Sequence, residues 1–70
     1  MKTIKNLTTF IDGKQYNCEI YRSTNGNEYF FIDGQPVDMK VIFCTETIDG
    51  YLVVTEDDYE QRMSWTCEEA

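Results

Sequence analysis

The sequence predicts a mainly β, α+β domain. It reads as a five-stranded antiparallel meander or a small, partly open barrel, with one short C-terminal helix. Three observations carry this. Turn dipeptides recur along the chain at Asp12-Gly13, Asn25-Gly26, Asp33-Gly34 and Asp49-Gly50, each suited to the positive φ of a tight hairpin turn. The segments between them are rich in β-branched and aromatic residues. After Thr55 the pattern changes to helical spacing behind an acidic start.

The elements follow in order. Strands are expected over Leu7–Ile11, Lys14–Arg22, Glu28–Ile32, Met39–Ile48 and Tyr51–Thr55. Two-residue turns would set the register, because a slip of one residue turns every side chain to the other face. Across Asp12-Gly13, Leu7 then faces Cys18 and Thr9 faces Tyr16. Across Asn25-Gly26, Ile20 faces Phe31 and Arg22 faces Tyr29. One sheet face gathers Leu7, Tyr16, Cys18, Ile20, Tyr29 and Phe31, the expected core.

The other face is too apolar to be left wet. It carries Phe10, Tyr21, Phe30 and Ile32, with Val37 opposite Phe30 if the Asp33-Gly34 turn is tight. In the last hairpin Val41, Phe43, Leu52 and Val54 share one side, while Ile42, Cys44, Tyr51 and Val53 share the other. A half-exposed antiparallel sheet alternates more strictly than this. Sheet curvature, the helix or a second chain must cover the surplus. Phe10, Tyr21, Phe30 and Ile32 are therefore the candidate self-association face of a homodimer.

Thr55-Glu56-Asp57-Asp58 reads as a helix start, with Thr55 as N-cap and Asp58 at the capping-box position. Tyr59, Arg62, Met63 and Thr66 continue at helical spacing. The expected helix covers 56–66, with 67–70 as a frayed tail, so that residues 1–70 form one domain with its sheet in 1–55. The tripeptide Ile-Asp-Gly occurs three times, at unequal spacing, as reused turn chemistry rather than an internal repeat.

Composition excludes several functions. With 41% apolar and 14% aromatic residues the chain is no acidic disordered tail. No apolar run approaches the ~20 residues of a membrane span. A formal net charge of −7 is wrong for a surface that neutralises phosphates, so direct nucleic-acid binding is not expected. The N-terminal residues lack the apolar stretch of a secretory signal, and a cytoplasmic setting is the expectation.

Catalytic and cofactor motifs are missing. There is no histidine, no CxxC pair and no Gly-rich phosphate loop. Asp57, Asp58 and Glu60 lack the alternating ligands and glycine of an EF-hand loop. No enzyme activity, metal or cofactor is expected. Cys18, Cys44 and Cys67 read first as small buried hydrophobes and a tail thiol. A Cys18–Cys44 bridge, or Cys67 pairing between subunits, would need an oxidising compartment.

The charge is localised. Five basic and five acidic residues cancel within 1–40, whereas 41–70 set Arg62 alone against eight carboxylates. Glu56, Asp57 and Asp58 complement the positive end of a helix dipole, at roughly 0.3–1 kcal/mol each. Glu60, Glu68 and Glu69 lie outside that first turn. The six together form a candidate docking face for a partner protein with a basic surface, with Tyr59 and Trp65 as aromatic anchors.

In size, acidity, cysteine use and sheet-plus-helix pattern the chain resembles the compact inhibitors encoded by bacterial viruses, among them DNA-mimicking and anti-defence proteins. That resemblance is of overall character and no motif. It implies stoichiometric inhibition of a nucleic-acid-acting protein in the cytoplasm of a bacterial host, with nucleic-acid mimicry as one mode. The alternative is a structural or accessory protein that self-associates through its apolar sheet face.

Overall fold

The computed structural model describes all 70 residues. Six antiparallel strands close into a barrel in chain order: β1 (Lys2–Ile11), β2 (Lys14–Arg22), β3 (Glu28–Ile32), β4 (Met39–Glu46), β5 (Tyr51–Thr55) and β6 (Trp65–Glu69). A single helix, α1 (Glu56–Gln61), joins β5 to β6. The mainly β architecture with one short helix is as expected. The sixth strand is not, because Trp65 and Thr66 and the supposed tail form β6.

The first hairpin follows its turn. Asp12 and Gly13 both take positive φ, and Leu7 pairs with Cys18 and Thr9 with Tyr16. The second hairpin departs from expectation. Its loop is the five residues 23–27, not Asn25-Gly26 alone, and Arg22 pairs with Glu28. Side chains stabilise the longer loop: Asn25 N–H donates to Ser23 Oγ (3.3 Å), and Asn27 N–H to Asn25 Oδ1 (2.9 Å). Main-chain bonds between Ser23 and Asn27 and between Gly26 and Ser23 complete it.

The odd loop shifts the register by one residue, so Ile20 pairs with Phe30 and Cys18 with Ile32. Every β3 side chain changes face. Phe30 and Ile32 are fully buried in the core, where Tyr29 and Phe31 were expected. The candidate self-association face therefore does not exist as a surface. Phe10 and Tyr21 remain on the outside, Tyr21 stacked on Tyr29 with ring centroids 5.7 Å apart.

Two register shifts bend the wall, one between Thr3 and Lys5 and one between Val41 and Phe43. Such bulges add local twist and help a small sheet curl. The second also lets Val41 turn toward the core together with Cys44, Val53 and Tyr51, while Phe43 and Val54 face outward. Phe30, not paired with Val37, sits opposite Met39.

The core consists of Leu7, Cys18, Ile20, Phe30, Ile32, Val53 and Cys67, packed against Ile11, Tyr16, Met39, Val41, Cys44, Tyr51 and Trp65. Two threonines are buried with it, and each finds a partner. Thr9 Oγ1 donates to the Thr66 carbonyl at 2.8 Å, and Thr55 caps α1. All three cysteines are free thiols.

β6 closes the barrel by pairing with β5 on one side and β1 on the other, through Val53–Trp65 and Thr9–Cys67. The approach is close at Gly50, where a Cβ would stand 2.3 Å from the Cys67 carbonyl oxygen. Only glycine fits beneath that strand.

Two expected outcomes follow from this packing. Phe30→Ala costs about 3–5 kcal/mol, whereas Phe10→Ala stays within about 0.5 kcal/mol; urea denaturation of the two variants checks the face assignment. Gly50→Ala costs about 1–3 kcal/mol through overpacking and speeds amide exchange across Trp65–Glu69. Gly13→Ala, with nothing within 4 Å of the added methyl, leaves that exchange unchanged.

Candidate functional site

The acidic helix is started by the residue before it. Thr55 is extended at φ −99° and ψ 170°, and its Oγ1 accepts from Asp58 N–H while donating to the Asp58 carboxylate at 2.7 Å. The same carboxylate accepts from Thr55 N–H, so the capping box is complete. Asp58 is thereby committed to the fold, at the capping position expected for it.

The helix is shorter than expected. It ends after Gln61 because Arg62 adopts the left-handed conformation, φ 56° and ψ 42°. Met63 N–H then bonds to the Asp58 carbonyl at 2.8 Å, a tight C-terminal closure. Ser64, Trp65 and Thr66 are modest helix formers, and as an extended segment they satisfy the pairing that closes the barrel.

This turn-back divides the six carboxylates. Glu56, Asp57, Asp58 and Glu60 stand on α1. Glu68 and Glu69 lie at the far end of β6, beside Thr8 and Leu7 of β1. Four residues of strand at about 3.3 Å each put roughly 13 Å between Trp65 and Glu69. There Glu69 joins Glu46 and Asp49 around the β4–β5 turn. The acidic face is two groups, not one.

Around α1 the negative charge is poorly compensated. Lys40 reaches Glu56 at 3.8 Å, between exposed side chains. Asp57, Asp58 and Glu60 have no basic side chain within salt-bridge distance, and Arg22 is engaged with Glu28 at 2.9 Å. Lys5 lies over the Tyr51 ring, 4.4 Å from its centroid.

Two hollows flank the helix. Tyr59, Arg62 and Met63 enclose one of about 420 Å³ against Phe43 and Val54. Tyr59, Phe43 and Met63 are respectively 64%, 46% and 58% exposed, a contiguous apolar surface at the acidic end. Tyr59, the aromatic residue expected as an anchor, is part of this surface. Phe43 and Met63 belong with it, and neither is legible from sequence alone: the bulge sets the orientation of Phe43, and helical spacing puts Met63 inside a longer helix than the one that forms.

Asp57 faces the second hollow, about 370 Å³, lined also by Ile32, Gln35, Pro36, Val37, Met39 and Trp65. Trp65 is half-buried here, its ring 5.9 Å from that of Phe30 and its Nε1 enclosed without a hydrogen-bond partner. It is a wall of the barrel rather than a free anchor. The loop over this hollow is tied down by Tyr21, whose hydroxyl donates to Asp38.

The buried Cys18 and Cys67 thiols touch, and that contact, opposed by burial and aided by Thr9, draws the Cys67 thiol below its ordinary value. Contact with the Cys67 thiol, then burial, pushes the Cys18 thiol far up. Burial likewise raises Cys44. No cluster of three or more His, Cys, Asp or Glu side chains is arranged to hold a metal ion. No helix is long and apolar enough to cross a membrane. No family model, curated protein or solved structure matches the chain.

The Tyr21–Asp38 bond has a pH signature. Asp38 holds the phenol protonated, raising its pKa to about 12. An acid raised in the folded state contributes stability fully below its unfolded value near 10 and loses it as pH climbs through the folded value. Near-ultraviolet titration should show one tyrosine ionising last, with Tyr29 displaced the other way by its Asn25 and Asn27 bonds. Asp38→Asn should bring that last tyrosine back toward 10; an unmoved midpoint would refute the pairing.

Proposed function

We propose that this is a non-enzymatic, stoichiometric binding protein whose α1 end docks on a basic surface of a partner protein. One observation carries the proposal: Asp57 and Glu60, with no cation in salt-bridge reach, share one short helix with Tyr59, beside the exposed apolar surface it forms with Phe43 and Met63. Charge steers encounter and selects against acidic partners, while desolvated aromatic contacts hold the complex. Basic surfaces of sufficient extent belong most often to proteins that handle nucleic acid, and an acidic end seated there blocks their substrate. This supports an inhibitor of a host nucleic-acid-acting protein, of the phage type.

The arrangement favours docking over full mimicry of a phosphate backbone. Glu46, Asp49, Glu68 and Glu69 sit at the other end of the β5–β6 pair, so the carboxylates form no continuous row. Within the proposal, Asp57, Glu60 and Tyr59 are contacts, Glu56 is shared with Lys40, and Asp58 serves the cap. Self-association in an accessory role cannot use Phe30 and Ile32, which are internal; Phe43 and Met63 are the exposed apolar residues at the α1 end.

The test keeps Asp58 intact. Immobilised protein is exposed to a bacterial lysate and eluted with rising salt or with duplex DNA. The expected result is a partner released by moderate salt and displaced by the duplex. The Asp57→Lys/Glu60→Lys variant should weaken retention about tenfold or more with unchanged circular dichroism. Undiminished binding by that variant would refute docking through α1. A doubled mass in solution that Met63→Glu abolishes would favour the accessory role.

A further inference from the structure

Closure leaves β4 half open. β3 pairs with β4 only at Met39 and Lys40, and beyond Val41 the sole neighbour of β4 is β5. An antiparallel strand directs N–H and C=O groups alternately to its two sides. The stretch Ile42–Glu46 therefore presents main-chain donors and acceptors on one side with no partner strand. None of the backbone hydrogen bonds outside the helix and strands returns to these residues.

Exposed edges are normally blunted by lysine, proline, bulges or cover. Here the devices are the bulge at Ile42 and a single charge, Glu46, since Ile42–Glu46 contains neither lysine nor proline. Ile42 and Phe43 are 45% and 46% exposed on this edge. Phe43 also lines the hollow shared with Val54, Tyr59 and Met63, so the open backbone and the apolar hollow adjoin. Carboxylates stand at both ends: Glu46 on the strand itself, and the α1 group, which contacts the start of β4 through Glu56 and Lys40.

We propose that Ile42–Glu46 is a strand-addition site that takes an extended, basic segment of the partner protein. Its main chain pairs with the open edge of β4, an apolar side chain enters the Phe43–Tyr59–Met63 hollow, and its lysines or arginines meet the carboxylates at either end. Main-chain bonds supply affinity in this mode, and side-chain pockets supply specificity. A second copy of the chain fits less well, because each carries a net charge of −7 and the same Glu46 on its own edge. The inference rests on the basic-partner proposal and gives it a binding mode.

The experiment follows the amides of the ¹⁵N-labelled protein during titration with an eight-residue peptide of alternating lysine and valine. Val41–Glu46 amides should shift and their exchange slow at least about tenfold, with both effects fading as salt rises. The same peptide methylated on alternate backbone nitrogens, prepared in both registers, should lose the effect in the register that removes its donors. If α1 amides respond while Val41–Glu46 do not, strand addition is overturned and docking through α1 stands. No response from either at millimolar peptide overturns it as well. Edge amides already protected in the free protein, at a doubled mass, would mean a second copy holds the edge and would also overturn it.

Discussion

The pairing of β6 between β5 and β1 is the constraint on which the rest of this structure depends. Without it, β5 and β1 would each keep an open side. The core would lack Cys67, and Phe30 would lack the Trp65 ring. The pairing also demands a bare backbone at Gly50, where the Cys67 carbonyl approaches too closely for any side chain. A chain of this length has little apolar volume to spare, and joining first strand to last protects what it has from water.

The acidic end is a consequence of that closure. β5 must hand the chain back to β6 within a few residues, and a short helix opened by Thr55 and closed at Arg62 does so. Acidic residues are the natural occupants of its first turn. Asp58 is used up in the cap, while Asp57 and Glu60 are left toward solvent. Because the helix crosses the outside of β4 and β5, Tyr59 and Met63 cover Val54 and only partly cover Phe43. An apolar surface and an excess of negative charge thus meet by the geometry of one connection.

The same economy explains the incomplete ladder on β4. Strands β3 and β5 meet β4 over different stretches, as expected where strands tilt and stagger to close a small barrel. The offset leaves Ile42–Glu46 paired on one side alone. Charge, apolar surface and unpaired backbone therefore fall in one region of the molecule, although they arise from separate parts of the chain.

Several features were legible because near neighbours in sequence decide them. Asp12-Gly13 carries its own register, and Thr55 with Asp58 carries its own cap; both need only a few residues' hydrogen bonds. Asn25-Gly26 misled because Ser23 and Asn25 stabilise a longer loop, and one extra residue exchanged Phe30 and Ile32 with Tyr29 and Phe31 between inside and outside. The end of α1 was hidden because Arg62 takes a left-handed conformation usually given to glycine. By itself, then, the sequence determined the β-rich class, the first hairpin turn, the helix start and the concentration of charge in residues 41–70. Only the tertiary structure decided which face each strand turns inward, that Trp65–Glu69 is a strand, and that the carboxylates part into two groups. Those outcomes depend on register and closure, which are set by contacts between residues far apart in the chain.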